Sequence, residues 1–370
     1  MGKKIANYVL LGSKTGLYGG PFETSSNQVI IASQFGCDAK LYYGVFDGDQ
    51  PEVAVPHEAH LLWKLSRQRS YFWLTSFSQM RSGYTASSAD IVHVSLARGI
   101  GPLAVSIFTL VRGGKLIVQT HGMLTSRESL LHDLYDACFT RPVLKSASKI
   151  IALTSVEERE LQSKFPEVKG KVAVIGNPPS QLEQTLVPEV SLDMSGPPKI
   201  LFAARLHKRK RVLDFAMAAK EANRRGWKDW YQVYGPDEGD LTQLLTVSEE
   251  LPNFHYAGKT DAQGVLEAIR VCDIFVLPSE NEPWGNALVS AISLSKPVVV
   301  TRSSHLSSLI EEYSAGIVVP DGNPVEIAIA CHQISDSETY KRFARGAHRL
   351  ARQEFSMEKY LSALRETYLE

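Results

Sequence analysis

The chain has 370 residues and a mass of 40.9 kDa, more than one hydrophobic core usually serves, so two domains are the default expectation. Forty basic residues balance forty acidic ones, which leaves no general attraction to nucleic acid or an anionic bilayer; any such pull has to be local. The four cysteines, Cys37, Cys138, Cys272 and Cys331, stand far apart with no CxxC or Cys/His ligand spacing, a pattern that reads as buried free thiols in a reducing cytoplasm rather than as a metal centre or disulfide framework.

Met1-Gly-Lys-Lys4 runs straight into the strand-like Ile5–Leu11, too short an apolar segment for the core of a signal peptide. No uncharged run approaches the ~20 residues of a spanning helix. The expectation is a soluble, cytoplasmic protein, at most peripheral at the inner membrane surface.

Short apolar, β-branched runs then alternate with amphipathic stretches, the pattern of βα units and parallel sheets. Strands are predicted near Tyr8–Leu11, Lys40–Val45, Ile91–Ser95, Leu116–Thr120, Ile150–Leu153 and Val172–Ile175. A second set is predicted near Ile200–Ala204, Trp230–Tyr234, Asn253–Ala257, Ile274–Leu277, Pro297–Thr301 and Ile317–Val319. Between the sets, the proline-rich stretch Pro178–Pro198 lacks sustained periodicity and reads as a linker. The fold class is therefore α/β, with two Rossmann-like, doubly wound domains facing across a cleft. The first covers 1–180, the linker 181–198 and the second 199–355. Met357, Tyr360, Leu361, Leu364 and Tyr368 share one face of a C-terminal helix over 356–370, for which packing back on the first domain is one option.

Ligands of open α/β sheets sit beyond the carboxyl ends of the strands, and four such places have unusual chemistry. After the first strand, Gly12-Ser-Lys-Thr-Gly16-Leu-Tyr-Gly19-Gly20 allows close backbone approach to a ligand, but its spacing is not GxGxxG and fits a structural turn equally. After the fourth, Gln119-Thr120-His121-Gly122 offers a histidine that either meets a substrate hydroxyl or is a satisfied structural residue. Opening the second half, five of the nine residues Ala204–Val212 are Arg or Lys, a cluster suited to a diphosphate and otherwise a solvated helix start. The helix dipole opposes cations there, so the run is expected to cost stability unless an anion visits. Finally, Ser279-Glu280-Asn281-Glu282-Pro283-Trp284-Gly285 leads into a helical segment from Asn286 whose first amides can receive an anion, with Glu282 outside that end. The bland reading is that Glu280 and Glu282 only complement the dipole. A fifth stretch, Leu61–Arg81, mixes Trp63, Lys64, Arg67, Arg69, Tyr71, Phe72 and Trp73 at helical spacing. It reads either as a helix packed on the sheet or as a peripheral membrane contact.

In order and spacing these stretches resemble the GT-B glycosyltransferases, in particular the retaining family 4. The family's glycine pair is matched by Gly19-Gly20, its His-Gly by His121-Gly122, and its Arg-Leu-x-x-x-Lys-Gly by Arg205-Leu206 through Lys210, with Arg211 in the glycine's place. Its Pro-Ser, Glu-x-Phe-Gly and Lys-Pro-Val segments correspond to Pro278-Ser279, Glu282-Pro283-Trp284-Gly285 and Lys296-Pro297-Val298. The resemblance implies metal-independent, retaining transfer of a hexose from a nucleotide-diphosphate sugar, held mostly by the second domain. The acceptor would be a hydroxyl of a glycan or lipid-linked glycan on the first domain, in cell-surface polysaccharide synthesis. No cofactor beyond the donor substrate, and no nucleic acid, is implied. Arg205 and Lys210 would neutralise the leaving diphosphate, helped by amides near Gly19 and Gly20 and at Gly285, Asn286, Ala287 and Leu288. Glu282 and His121 would hold sugar hydroxyls, and nucleotide-base recognition would rest on main chain near Tyr234-Gly235-Pro236 and Gly258-Lys259-Thr260. The family's second Glu, eight positions after the first, is Ser290 here, which puts ribose recognition in question. Two alternatives stay open: another GT-B enzyme such as a phosphorylase or epimerase, and a catalytically silent binding subunit that partners an active transferase.

Overall fold

The computed structural model describes residues 2–14, 19–62, 73–124, 130–178 and 196–369. The chain forms two compact units, Met1–Pro178 with Tyr360–Glu370, and Pro179–Lys359. The greater part of the linker stretch, 179–195, and the centre of the basic aromatic stretch, 63–72, lie outside the described residues.

The first unit holds a seven-stranded sheet of β1 (Lys4–Leu11), β2 (Asp38–Val45), β3 (His57–Leu61), β4 (Ile91–Ser95), β5 (Lys115–Gln119), β6 (Lys149–Ala152) and β7 (Val172–Val174), in the order β3-β2-β1-β4-β5-β6-β7. All neighbours are parallel. Six of these strands are the predicted ones. β3 is not, because His-Glu-Ala-His-Leu has neither the β-branched residues nor the alternation that mark a buried strand; it is a half-exposed edge. Glu58 ties it to the sheet by pairing with Lys40 and accepting from Ser82 Oγ at 2.7 Å.

The sheet's two faces are chemically different. Ala6, Tyr8, Val92, Val94, Leu116 and Val118 point into one apolar cluster. The alternate residues Asn7, His93, Ser95 and Gln119 are polar and at most 4% exposed, as period-two alternation requires of residues on the opposite face. Register sets Asn7 beside His93 and Ser95 beside Gln119. Groups from the helix Gly19–Gln34 and from the C-terminal helix Met357–Leu369 meet this polar stripe: Ser25, Gln28 and Tyr368. Tyr360, Leu364 and Tyr368, four residues apart on one helical face, are buried.

The second unit holds a six-stranded parallel sheet of β8 (Lys199–Ala203), β9 (Trp230–Tyr234), β10 (Phe254–Tyr256), β11 (Ile274–Leu277), β12 (Val298–Thr301) and β13 (Gly316–Val319), ordered β10-β9-β8-β11-β12-β13. All six are predicted strands; their fully apolar runs, such as Ile274–Leu277, suit a sheet covered on both faces. The order reverses between β8 and β11. The loops after these two strands, 204–211 and 278–285, therefore flank the topological switch point, where open α/β sheets bind ligands.

Cys37, Cys272 and Cys331 are buried free thiols, but Cys138 is exposed, contrary to the expectation for all four. It lies in the short π-helical stretch Asp136–Thr140, whose Asp136 and Thr140 turn inward while Cys138 and Phe139 turn out. Among the described residues no helix is long and apolar enough to cross a membrane.

Candidate functional site

In the second unit, β8 ends at Ala203 and the chain turns through Arg205 and Leu206. Main-chain bonds from Ala204 N to Tyr234 O (3.1 Å), Leu206 N to Pro236 O (2.9 Å) and Glu238 N to Leu206 O (3.2 Å) knit it to the end of β9. This brings Glu238 to Arg205, whose Nη1 donates to both carboxylate oxygens at 2.8 and 2.9 Å. Gly235 lies so close that a Cβ there would meet Ala204 O at 1.8 Å. The two loops expected to recognise a base also meet, by Gly235 N to Gly258 O at 3.0 Å.

Lys208–Lys210 form a single 3₁₀ turn, whose N-cap His207 accepts from Arg209 N at 3.1 Å. Arg211 then takes φ 54° and ψ 43° before the helix Val212–Arg224 begins. That left-handed conformation is the one glycine adopts freely, which gives a physical reason for the glycine the family motif carries here. Arg211 is held in it by its Nε bond to Asp214 at 2.6 Å, and this bond raises its pKa above the ordinary value. The expectation that the basic run costs stability without an anion is therefore corrected. Glu238, Glu282 and Asp214 neutralise Arg205, Lys210 and Arg211 within the protein.

Across the switch point, Glu280 N donates to Arg209 O at 2.9 Å and Arg209 Nη1 to Asn281 O at 3.2 Å, joining the two loops. Asn281, at φ 49°, turns the chain so that Glu282 points inward to pair with Lys210. The two side chains are only 12% and 5% exposed. Burial is the largest influence on each. It drives the Lys210 pKa down, against the pull of Glu282. It pushes the Glu282 carboxyl up, but Lys210 and Arg209 outweigh it and hold the group below its ordinary value.

Trp284 packs edge-on against Phe355, ring centroids 5.3 Å apart, and Gly285, at φ 75°, caps the helix Asn286–Ser293 without any side-chain cap bond. The first intrahelical bond runs from Val289 N to Gly285 O at 3.0 Å. The amides of Asn286, Ala287 and Leu288 thus precede the helical ladder and form the positive end of its dipole. Ser290, half-buried, stands in the second turn of this helix.

In the first unit, Gly19 and Gly20 open the helix Gly19–Gln34. Asp49 fastens the preceding loop, accepting from Ser13 Oγ and Lys14 N, each at 3.0 Å. His121 and Gly122 occupy the centre of a turn closed by Met123 N to Thr120 O at 2.9 Å, with φ of 49° and 71°; two positive φ values mark a type I′ turn. The buried carboxylate of Glu157 holds it, accepting from Thr120 Oγ1 (2.6 Å), Gly122 N (2.5 Å) and Leu153 N (2.7 Å). On the other side Arg98 donates to Met123 O at 3.0 Å and Leu124 O at 2.7 Å while bonding Asp136. The His121 ring is 8% exposed, and burial first, then neighbouring His93, depress its pKa to about 3. It is a neutral hydrogen-bonding group near pH 7 rather than a titrating one.

The structure thus joins Lys210 to Glu282, brings Glu282 Cγ within 3.4 Å of a Cβ built on Gly285, where the helix from Asn286 begins, and gives Arg205 to Glu238. Sequence reasoning missed Glu238, Ser95 and Glu157. Of these only Glu157 carried a signal, the Thr154-Ser-Val-Glu157 capping box.

A family profile described as glycosyl transferases group 1 matches residues 197–337, and one described as glycosyltransferase family 4 matches residues 32–178. The chain is similar to the alpha-D-kanosaminyltransferase of Streptomyces kanamyceticus, 27% identical over 163 residues, 43% of this chain and 42% of that protein. It is similar also to the lipopolysaccharide core biosynthesis glycosyltransferase LpsE of Rhizobium meliloti, 29% identical over 143 residues, 38% of this chain and 40% of that one. The matched stretches thus span less than half of these relatives' lengths. Among solved structures, a glycosyltransferase from Rickettsia africae superposes with a TM-score of 0.74 at 16% identity, covering 99% of this chain and 98% of that one. HepE of Anabaena in complex with UDP and glucose superposes with a TM-score of 0.71 at 18% identity, covering 99% of both. These likenesses establish the GT-B fold.

Proposed function

The chain belongs to the family 4, group 1 glycosyltransferases of GT-B fold, and from that premise we infer that it moves a hexose from a nucleotide-diphosphate sugar to a glycan or lipid-linked glycan hydroxyl. The observation that carries the reading is the buried Lys210–Glu282 pair at the switch point, set between a basic 3₁₀ turn and a helix start.

The chemistry of such a transfer is departure of a nucleoside diphosphate and development of positive charge at the sugar. Arg205 and Lys210 supply fixed cations for the departing oxygens, and the dipole end at Asn286–Leu288 adds partial positive charge where solvent is scarce. Glu282, ionised through Lys210 and Arg209, accepts hydrogen bonds from donor-sugar hydroxyls. A donor phosphate that draws Lys210 toward itself frees a Glu282 oxygen for that task, so one buried ion pair serves both halves of the donor. Neutral His121 binds a further hydroxyl, with amides near Gly19 and Gly20 on the same domain. Retention at the anomeric carbon, independence of metal and peripheral membrane contact near 61–81 belong to the same proposal. The HepE complexes contain UDP and UDP-glucose, which puts uridine nucleotides first in the panel to be tried.

The test is thermal unfolding against UDP-, GDP-, ADP- and dTDP-sugars in the presence of a metal chelator. A donor at about 100 times its dissociation constant stabilises by ~2.7 kcal/mol, which for a domain of this size raises the midpoint by roughly 5–11 °C. A shift confined to one nucleotide class is expected. Silence across the panel would favour the second reading, a silent binding subunit, which Ser290 supports because it replaces the family's ribose-binding Glu.

A further inference from the structure

Resting on the reading of His121 as a hydroxyl-binding residue, we propose that Ser95, whose hydroxyl is directed by Ser25, is a positioning residue that fixes His121 as the tautomer protonated on Nδ1. His121 then presents a hydrogen-bond donor, not an acceptor, to its hydroxyl partner.

One chain of contacts runs along the polar face of the first sheet. Ser95, the last residue of β4, has its Oγ 3.1 Å from His121 Nε2. Ser25, in the second turn of the helix Gly19–Gln34, has its Oγ 3.3 Å from Ser95 Oγ. All three residues are buried, at 2%, 4% and 8% exposure for Ser25, Ser95 and His121. Either direction of proton donation is geometrically open along the pair of hydroxyls, so the end of the chain decides. Among the described residues Ser95 Oγ is the one hydrogen-bond partner of Ser25 Oγ. A buried hydroxyl with a single polar neighbour loses an O–H bond unless it donates to that neighbour, and a lost buried donor costs about 1–3 kcal/mol. Ser25 therefore donates to Ser95, and Ser95 passes its own proton toward His121 Nε2. Nε2 accepts, and the ring's one proton resides on Nδ1.

The reverse arrangement, with Nε2–H donating to Ser95 and Ser95 to Ser25, would leave the Ser25 proton buried and unpaired. The turn at His121 is clamped by Glu157 on one side and Arg98 on the other, which fixes the backbone from which the ring reaches Ser95. Oxygen atoms of a sugar hydroxyl accept as readily as they donate, and fixing the histidine as donor selects one of the two orientations.

Histidine side-chain ¹⁵N NMR on the full chain reads the tautomer directly, with His121→Gln assigning the signals. Wild type is expected to show one neutral tautomer protonated on Nδ1. Ser95→Ala is expected to shift population to the Nε2–H form, whereas Ser95→Thr, which keeps the hydroxyl, restores it. Ser25→Ala, which leaves His121 Nε2 as the one partner of Ser95 Oγ among the described residues, is expected to keep Nδ1–H. With a donor in hand, Ser95→Ala should lower kcat about tenfold with little change in donor KM, the signature of lost orientation rather than lost binding. An Nε2–H signal in wild type, or an unaltered tautomer in Ser95→Ala, overturns the proposal. Because the NMR needs no turnover, failure of the transferase reading would leave the Nδ1–H result standing, and the two failures are distinguishable.

Discussion

Lys210 and Glu282, 72 residues apart in the chain, form an ion pair at the switch point of the second sheet that is nearly closed to solvent. Desolvating two charges opposes their attraction, so such a pair is weak support for stability by itself. Breaking one side is another matter, since it strands a buried charge. Lys210→Met and Glu282→Leu are each expected to cost about 3–5 kcal/mol in urea unfolding, while the double variant lies within ~1 kcal/mol of wild type or above it. Single variants costing less than ~1 kcal/mol would show that the pair is more hydrated than the structure has it.

Acid should unfold the first domain early. His93, buried on the polar face with Nδ1 2.7 Å from Tyr368 Oη, and His121 both have pKa values lowered by burial from 6.5 to about 3. The unfolded chain takes up these two protons near pH 6.5 and the folded one does not. Their contribution is therefore fully present above that pH and is lost as pH falls toward 3, at about 1.4 kcal/mol per pH unit for each histidine. His93→Gln should flatten the slope of stability against pH between 6 and 4, as read by urea titrations; an unchanged slope would count against a neutral His93.

Ser290 offers a gain-of-function test. If a ribose hydroxyl lies near this position, Ser290→Glu replaces a neutral bond by a charge-assisted one, roughly twice as strong. The affinity for a nucleotide should rise about fivefold, from about 1 kcal/mol of added binding. Equal affinities in the two proteins would move the ribose elsewhere.

How much was legible in the sequence depended on where each feature's partners lie. Strands buried on both faces, such as Ile274–Leu277, declare themselves because their whole environment is apolar; β3 does not, because an edge strand is held by neighbours and by Glu58's contacts with Lys40 and Ser82. Lys210 and Glu282 stand in recognisable motifs, but their pairing needed the β8–β11 adjacency that only the sheet order supplies. Glu238 reaches Arg205, 33 residues away in the chain, because Leu206 bridges to Asp237. Glu157 closes the capping box that opens at Thr154, and its amide does no more than that local role predicts: Glu157 N donates to Thr154 Oγ1 at 3.2 Å. Its bonds to Thr120 and Gly122 exist because β5 and β6 are neighbours, and no local pattern carries that information.

Gly285 tests the helix start. At φ 75°, with a hypothetical Cβ only 3.0 Å from Leu277 Cδ2, Gly285→Ala is expected to cost about 1–3 kcal/mol and to displace the first helical amides. Diphosphate affinity should fall with it, whereas Gly226→Ala, at another left-handed position (φ 76°) where an added Cβ meets nothing within 4 Å, should cost comparable stability without that loss. Equal nucleotide affinity in both variants would remove the helix start from the site.

The central claim is that the second domain binds a nucleotide-diphosphate sugar through Arg205 and its neighbours. Isothermal titration of the full chain with UDP, GDP, ADP and dTDP and their sugars, against wild type and Arg205→Ala, tests it most directly. Arg205 is the suitable probe because its side chain is 40% exposed and its removal strands no buried charge. Saturable binding of one nucleotide class, weakened at least about tenfold by Arg205→Ala, is the expected result. Binding that ignores Arg205, or no binding by any of these nucleotides, would contradict it.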